Sequence, residues 1–250
     1  KYLYGRTRQE VARKLTQALK TTQDNLPIPS SRLTLAVFAD KWLASVRPSL
    51  RPRTYQSYES ALRVHILPTL GRIQLDALQP SDLELLYARL TQDGLSAQSI
   101  RTYHVRVHTM LNRAVKWGVL TRNVASLVAL PRIVTRELAV FSQQEAKAFL
   151  QAAIGHRLEA LFVLALTTGA RQGELLGLRW DRVDLDNGHI DIRQALQRID
   201  GRFQLVEPKT SGSARRVALT DIAVEALRHH HTRQLKEALR LGQAWDNDMN

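Results

Sequence analysis

The sequence contains, at residues 168–180, the stretch Thr-Gly-Ala-Arg-Gln-Gly-Glu-Leu-Leu-Gly-Leu-Arg-Trp. The glycine at position 169 predicts a turn, and Arg171 then begins a helix predicted to run to residue 178. A guanidinium at a helix start can face a phosphate together with free backbone N–H groups. Glu174 lies one turn further on, where it either orients Arg171 and the nearby backbone or forms an ordinary surface ion pair. An isolated arginine in such a place is usually a solvated helix residue, so its interpretation depends on the rest of the sequence.

A second basic stretch occupies residues 208–219, which read Pro-Lys-Thr-Ser-Gly-Ser-Ala-Arg-Arg-Val-Ala-Leu. Strands are predicted over 203–206 and 216–219, so Lys209 is expected in the turn between two strands. Four neighbouring side chains with hydroxyl or guanidinium groups are candidate phosphate contacts: Thr210, Ser213, Arg215 and Arg216. A hairpin lysine taken alone is more often solvated than functional.

The sequence around these two stretches predicts a mixed α and β structure. Residues 183–185 and 189–192 flank an Asn187-Gly188 pair, which is typical of the turn in a β-hairpin. Ser142 and Glu145 predict a capping box at a helix start. Further helices are predicted at the apolar stretch 158–166, expected to be buried, and at 223–241.

Residues 33–131 show helical periodicity throughout and predict a bundle of four helices. The expected helix starts are Thr34, Thr54, Pro80 and Ser96. Pro68 and Gly71 are expected to end the second helix.

Two of these four helices carry clusters of polar and basic side chains. At the start of the second helix they are Arg51, Arg53, Thr54, Tyr55 and Tyr58, and on one face of the fourth they are Gln98, Ser99, Thr102 and Arg106. Helix starts and hydroxyl groups contact phosphate, and a polar helix face fits the major groove of DNA. Each side chain alone could equally lie on an ordinary solvated face. Together they predict two helices that grip one side of a duplex.

The charge distribution favours a polyanionic partner. The formal net charge is +13 and the pI is about 10.6. Residues 1–32, 33–133 and 134–250 contribute +5, +7 and +1, whereas a generally basic composition would spread the excess evenly. The chain has no cysteine, which excludes disulfides and thiolate sites. It has no apolar run long enough to predict a membrane span.

Three consecutive histidines, His229 to His231, raise the question of a metal site. Consecutive residues point around a helix rather than at one ion, and no carboxylates cluster beside them in the sequence. We therefore expect neither a metal nor a cofactor.

Three parts of the chain resemble the tyrosine recombinases of the phage integrase family. Residues 168–180 resemble the family's first arginine box, and residues 208–219 resemble the β-hairpin that carries its catalytic lysine. Residues 50–55 and 65–71 resemble its core-binding domain, and the resemblance covers about residues 33–241. It implies a mainly α fold with a small antiparallel β element, in which a helical core-binding bundle and an incomplete α+β catalytic domain form a clamp. The implied divisions are a remnant of an arm-type DNA-binding domain at 1–20, a linker at 21–32, the core-binding domain at 33–130, a linker at 131–137 and the partial catalytic domain at 138–250.

The resemblance also implies a function. It makes Arg171 a catalytic residue that stabilises the scissile phosphate, Lys209 the general acid for the departing 5′ oxygen, and Glu174 a supporting residue. The implied activity is site-specific DNA recombination, in which strands are cut and rejoined through a 3′-phosphotyrosine. The implied partner is double-stranded DNA, on which the whole protein would form a tetramer in the cytoplasm.

Two features depart from the family's pattern. All six tyrosines precede Arg171, and no His-x-x-Arg box in a matching context follows Lys209. We therefore expect a chain truncated before its nucleophile, which binds DNA without cleaving it and is a monomer when free. The alternative is a non-catalytic DNA-binding protein that keeps the recombinase scaffold.

Overall fold

The computed structural model describes residues 7–12, 15, 33–134, 137–207 and 214–245. The chain divides into two compact units, one over residues 1–136 and the other over residues 137–250. The described residues are mainly helical with small antiparallel sheets, which confirms the predicted fold class. Most of the arm-domain remnant predicted at 1–20, and all of the linker predicted at 21–32, lie outside the described residues.

The first unit is a helical bundle. Over residues 33–134 its helices are α1 Leu35–Val46, α2 Pro52–Ser60, α3 Leu67–Leu70, α4 Pro80–Gln92 and α5 Ala97–Lys116, with a π turn at Ala61–Ile66 and 3-10 turns at Arg47–Ser49 and Val124–Leu127. Apolar side chains at helical spacing bury one core. Leu35, Phe38 and Trp42 of α1 are at most 1% exposed within it.

Three of the predicted helix starts in the first unit are confirmed. Thr34 Oγ1 accepts a hydrogen bond from the backbone N–H of Val37 at 3.4 Å. Ser96 Oγ accepts one from the backbone N–H of Ser99 at 3.1 Å. Pro80 is the first residue of α4. The first N–H groups of a helix have no partner within the helix. Thr34 and Ser96 each accept a hydrogen bond from one of these groups, and Pro80 has no N–H group that would need a partner.

The predicted cap at Thr54 is wrong. Helix α2 begins at Pro52, and Arg51 precedes it in an extended conformation with φ −63° and ψ 145°. A proline suits the first helical position because its φ is already fixed and its missing N–H needs no partner. It also disfavours a helical conformation for the residue before it, so the helix starts three residues earlier than a threonine cap at Thr54 would place it.

The prediction that Pro68 ends the second helix is also wrong. The helix continues through the π turn, in which the backbone N–H of Leu67 bonds to the carbonyl of Leu62, five residues earlier. The wider turn gives the ring of Pro68 room that a regular helix would deny it. Gly71 follows α3, and the helix ends there as predicted.

The second unit combines helices with short strands. Its elements are α6 Gln143–Ala153, α7 Glu159–Thr168, α8 Gln172–Leu176, β1 Val183–Asp184, β2 His189–Ile192, β3 Ala195–Ile199, β4 Arg202–Val206, β5 Arg215–Ala218 and α9 Asp221–Leu241, with 3-10 turns at Trp180–Arg182 and Gly242–Ala244. The predicted capping box is confirmed: Ser142 N–H donates to Glu145 Oε2 at 2.8 Å, and Glu145 N–H donates to Ser142 Oγ at 3.3 Å.

The stretch predicted as a buried helix at 158–166 is helical but only partly buried. Leu158 is 42% exposed and Leu166 is 40% exposed, while Val163 and Leu164 are buried. The helix is apolar around its whole circumference, and the described elements cover one side of it.

The strands pair differently from the prediction. Strands β1, β2 and β5 form one antiparallel sheet, and β3 pairs with β4 in a second. The Asn187-Gly188 turn between β1 and β2 is confirmed. However, the strands on either side of 208–213 do not form a hairpin with each other, since β4 pairs with β3 and β5 with β2. The unpredicted strand β3 turns into β4 at Asp200-Gly201, where φ is 50° and 78°.

Candidate functional site

A buried carboxylate lies between two arginines in the second unit. Glu174 is 8% exposed. Its Oε1 accepts a hydrogen bond of 2.9 Å from Arg171 Nη1, and its Oε2 accepts one of 3.0 Å from the backbone N–H of Arg171. Arg215 donates to the same two oxygens, with Nη2 at 2.8 Å from Oε2 and Nη1 at 3.3 Å from Oε1. The three side chains therefore form one ion cluster.

Two separate elements bring these side chains together. Gly169 ends α7 in a left-handed conformation with φ 62°, and Arg171 then stands just before α8, one turn ahead of Glu174. Arg215 opens β5 and is paired with Ile192 of β2. The sheet thus holds Arg215 against a carboxylate that α8 presents.

The neighbouring residue Arg216 points to the opposite face of β5. Its Nε and Nη2 donate to the two carboxylate oxygens of Asp191 at 3.0 and 3.1 Å. The two consecutive arginines, both predicted as phosphate neighbours, therefore have different partners: Glu174 for Arg215 and Asp191 for Arg216.

The cluster has an exposed cation and a buried anion. The side chain of Arg171 is 77% exposed, and that of Arg215 is 33% exposed. The hydrogen bonds from Arg215, and those from the backbone and side chain of Arg171, lower the pKa of Glu174 to about 2 even though burial opposes this. Glu174 is thus ionised at neutral pH, and the cluster has a net charge of +1. Its exposed guanidinium can accept an anion such as a phosphate group.

Glu174 makes the contacts that the sequence predicted for it, and three other candidate residues cannot be placed. Its carboxylate accepts from the side chain of Arg171 and from the nearby backbone N–H of the same residue. Both are hydrogen bonds to a charged acceptor. Lys209, Thr210 and Ser213 lie outside the described residues.

Two glycines for which the sequence predicted no role, Gly173 and Gly177, allow strand β3 to pack closely against α8. A Cβ on Gly177 would lie 2.7 Å from the backbone nitrogen of Leu196, and one on Gly173 would lie 3.0 Å from its carbonyl oxygen. Gln194 Nε2 also donates to the carbonyl of Gly177 at 3.0 Å. Strand β3 therefore packs directly on the backbone of α8. The Asp200-Gly201 pair was the signal that could have revealed this strand.

In the first unit, the candidate residues at the start of α2 divide into two groups. Arg51, Arg53 and Thr54 are exposed. Tyr55 and Tyr58 are half-buried and pack inward: Tyr58 stacks on Trp42 with ring centroids 5.5 Å apart. The first group faces solvent, whereas the two rings stabilise the helix that presents it.

The candidate residues on α5 are placed along its first three turns. Gln98 is exposed, and Ser99 Oγ lies 2.9 Å from Ser96 Oγ. Thr102 Oγ1 donates to the carbonyl of Gln98 at 2.9 Å. Arg106 donates to Ser57 Oγ of α2, so it points toward a neighbouring helix.

The histidines of α9 take part in packing. The ring of His231 lies 4.4 Å from that of Trp180, whose Nε1 donates to Gln234 Oε1 at 2.7 Å. Among the described residues, no group of three or more histidine, aspartate or glutamate side chains is placed to hold a metal ion. Within the same ranges, every helix is too short or too polar to cross a membrane.

Comparison with known proteins assigns the chain to a family. Residues 34–90 match the phage integrase N-terminal SAM-like domain, and residues 139–241 match the phage integrase family. A tyrosine recombinase XerC-like protein of Caldanaerobacter subterraneus is 30% identical over 266 residues, which cover 100% of this chain and 68% of that protein. The chain belongs to the tyrosine recombinase family of phage integrases. The second matched region of this integrase chain includes Arg171, Glu174 and Arg215.

Solved integrase structures share the fold. The Tn1549 transposon integrase in complex with transposon right end DNA has a TM-score of 0.70 at 22% identity, covering 79% of this chain and 64% of that one. A lambda integrase tetramer bound to a Holliday junction has a TM-score of 0.60 at 17% identity, covering 91% of this chain and 68% of that one. The chain spans 68%, 40% and 63% of the lengths of the first three curated relatives that it matches.

Proposed function

We propose that the protein acts in site-specific DNA recombination or integration, cutting and rejoining DNA strands through a 3′-phosphotyrosine. In this proposal the 250 residues bind double-stranded DNA and supply Arg171, but they do not supply the nucleophile. The observation that carries the proposal is the exposed guanidinium of Arg171, anchored on the buried carboxylate of Glu174 inside a region that matches the family.

The chemistry of DNA strand transfer suits such a group. The reaction places negative charge on the non-bridging oxygens of the phosphate, and a preorganised cation stabilises that charge in the transition state. Loss of one contact of this kind typically costs about 3–4 kcal/mol of transition-state stabilisation. Arg171 is proposed to donate hydrogen bonds to these non-bridging oxygens, and Lys209 is proposed as the general acid that protonates the departing 5′ oxygen.

The first unit is proposed to grip the duplex from one side. The proposed direct contacts are Arg51, Arg53, Thr54, Gln98, Ser99 and Thr102 on the first unit, with Thr210, Ser213 and Arg216 on the second. Tyr55 and Tyr58 are proposed to act by supporting the helix start that carries the first three. Arg106 contributes indirectly, because it donates to Ser57 and holds α5 against α2. Residues 33–130 are proposed to form the core-binding domain and residues 138–250 the partial catalytic domain.

The proposed assembly follows from the DNA complexes of the structural relatives. The lambda integrase tetramer on a Holliday junction supports a tetramer on DNA for the whole protein. The free 250-residue chain is proposed to be a monomer. Sedimentation of the free chain tests this last point, and a stable dimer would contradict it.

The salt dependence of DNA binding tests the proposed function. Binding of the chain to a mixed-sequence duplex is expected to weaken as salt rises, with a log–log slope of roughly −0.9 for each phosphate contact. Arg171→Ala is expected to remove one phosphate contact and so to reduce the magnitude of that slope by about 0.9. Arg233→Ala is the control, since it removes the same charge from α9, where Arg233 is paired with Glu159 of α7. A wild-type chain that does not bind DNA would contradict the proposal.

A second candidate function is DNA binding without catalysis. The observation that favours it is that none of the six tyrosines follows Arg171 in the sequence. The two candidate functions predict different behaviour for a longer protein that continues beyond residue 250. Under the first, such a protein should form a covalent DNA adduct through a tyrosine. Under the second, it should bind DNA without forming an adduct.

A further inference from the structure

The carboxylate of Glu174 is shared unequally between its two arginines. The guanidinium of Arg215 contacts both oxygens, at 2.8 and 3.3 Å, whereas that of Arg171 contacts one, at 2.9 Å. Arg215 is also the less exposed of the two arginines, at 33% against 77%. Arg215 is therefore the main counter-ion of this carboxylate.

Within the part of the chain that the structure describes, this division leaves most of the N–H donors of Arg171 without a partner. A guanidinium has five N–H groups, and a single one of those on Arg171 is engaged with Glu174. Without Arg215, the buried carboxylate would lose its main partner, which is costly in a weakly solvated place. The fork of Arg171 would then close on both oxygens as a bidentate pair and lose its attraction for another anion.

We propose that Arg215 is a positioning residue that neutralises Glu174 and so keeps the guanidinium of Arg171 available to a DNA phosphate. The inference rests on the proposed function, because it takes DNA phosphate as the ligand of Arg171. It differs from the prediction for Arg215 made from sequence, since Arg215 acts through Glu174 and does not touch the phosphate.

A charge-compensating pair of variants tests this role. Arg215→Ala changes the net charge of the cluster from +1 to zero, and a second change, Glu174→Gln, returns it to +1. The single variant is expected to reduce the salt-dependence slope for a mixed-sequence duplex by about 0.9, the loss of one phosphate contact. The double variant is expected to restore the slope, which a purely structural role of Arg215 would not allow. The double variant Arg171→Ala/Arg215→Ala is expected to reduce the salt-dependence slope by no more than Arg171→Ala alone does.

The chain offers a closely matched control pair. Arg233 and Glu159 lie 3.4 Å apart, with side-chain exposures of 33% and 15% against 33% and 9% for Arg215 and Glu174. Arg233→Ala is expected to leave the slope unchanged. An equal loss in Arg233→Ala, or a double variant no better than Arg215→Ala, would overturn the proposal.

A titration of the Glu174 carboxyl group by carbon NMR tests the same proposal without DNA. The hydrogen bonds of the two arginines lower the pKa of Glu174 to about 2, with Arg215 as the largest cause. Arg215→Ala is expected to raise this pKa more than Arg171→Ala does, and Arg216→Ala is expected to leave it unchanged. An unchanged pKa in Arg215→Ala would overturn the role of Arg215. Failure of the wild-type chain to bind DNA would instead contradict the proposed function.

Discussion

Arg106 of α5 donates a hydrogen bond of 2.6 Å to the hydroxyl oxygen of Ser57 in α2. Its other terminal nitrogen donates to the carbonyl of Thr102 at 2.8 Å, and its guanidinium lies 5.6 Å from the ring centroid of Tyr58. These contacts join the two helices on which the candidate DNA contacts lie. Arg106 therefore fixes the spacing between them.

Replacing Arg106 with alanine is expected to destabilise the first unit without removing a phosphate contact. Each lost hydrogen bond costs about 0.5–1.5 kcal/mol, so we expect a loss of about 1–3 kcal/mol in urea unfolding. DNA binding should weaken while its salt-dependence slope stays the same. Arg101→Ala, an exposed change on the same helix, is the stability control. A slope reduced by about 0.9 with unchanged stability would make Arg106 a direct phosphate ligand.

Replacing Gly177 with alanine is expected to separate β3 from α8. The added Cβ would lie 2.7 Å from the nitrogen of Leu196 and 3.1 Å from the carbonyl carbon of Ala195, both of them backbone atoms that cannot swing away. Overpacking of this kind costs about 1–3 kcal/mol, measurable by chemical unfolding. Leu176→Ala, at a neighbouring position that is 46% exposed, should cost less. A Gly177→Ala variant as stable as the wild type would show that β3 does not pack on α8.

The buried histidine of the first unit is expected to make stability depend on pH. Burial, and the nearby charges of His108 and Arg101, lower the pKa of His104, whose Nδ1 lies 3.2 Å from the hydroxyl oxygen of Tyr87. The imidazole of His104 therefore binds a proton more readily in the unfolded chain than in the folded one. Stability should therefore fall as the pH drops below the ordinary histidine pKa of about 6.5.

Amide hydrogen exchange in α5 measures this dependence. Protection should fall between pH 7 and pH 5 in the wild type, and fall less in His104→Gln, because glutamine can accept from Tyr87 and does not titrate. His65→Gln is the matched control, since the ring of His65 is half-buried and stacks on Tyr103 with centroids 4.5 Å apart. This variant should lose as much protection between pH 7 and pH 5 as the wild type does. Equal losses in the wild type and in His104→Gln would contradict the assignment.

The helical parts of the fold follow from local chemistry. Thr34, Ser96 and Ser142 cap helices as their residue types predict, since each satisfies a backbone N–H group within three residues. At Arg51-Pro52-Arg53-Thr54 two local preferences compete, and the proline at the first helical position wins over the threonine cap. Such a competition is decided by backbone geometry that periodicity does not report.

The strands were harder to predict because their partners are distant in sequence. The segments 203–206 and 216–219 were correctly read as strands, with β4 and β5 observed close to these limits. Their proximity suggested a hairpin, but β5 pairs with β2, whose residues precede it by more than twenty positions. The Asp200-Gly201 turn provides β4 with a nearer partner than β5.

The candidate site was predictable in part. Arg171 and Glu174 are one helical turn apart, and the expected contact between them is confirmed at 2.9 Å. The bond from Arg215 to Glu174 joins residues 41 positions apart and depends on the register of β5, which sequence periodicity cannot determine.

Trapping of DNA on the chain tests the central claim most directly. The chain is incubated with randomised duplexes that carry a 5′-bridging phosphorothiolate, whose cleavage is irreversible, and the same sample is separated on native and denaturing gels. The proposed function predicts a DNA complex on the native gel and no covalent adduct on the denaturing gel, because all six tyrosines precede Arg171. A covalent adduct would show that the nucleophile lies within these 250 residues, and the absence of any complex would contradict DNA binding.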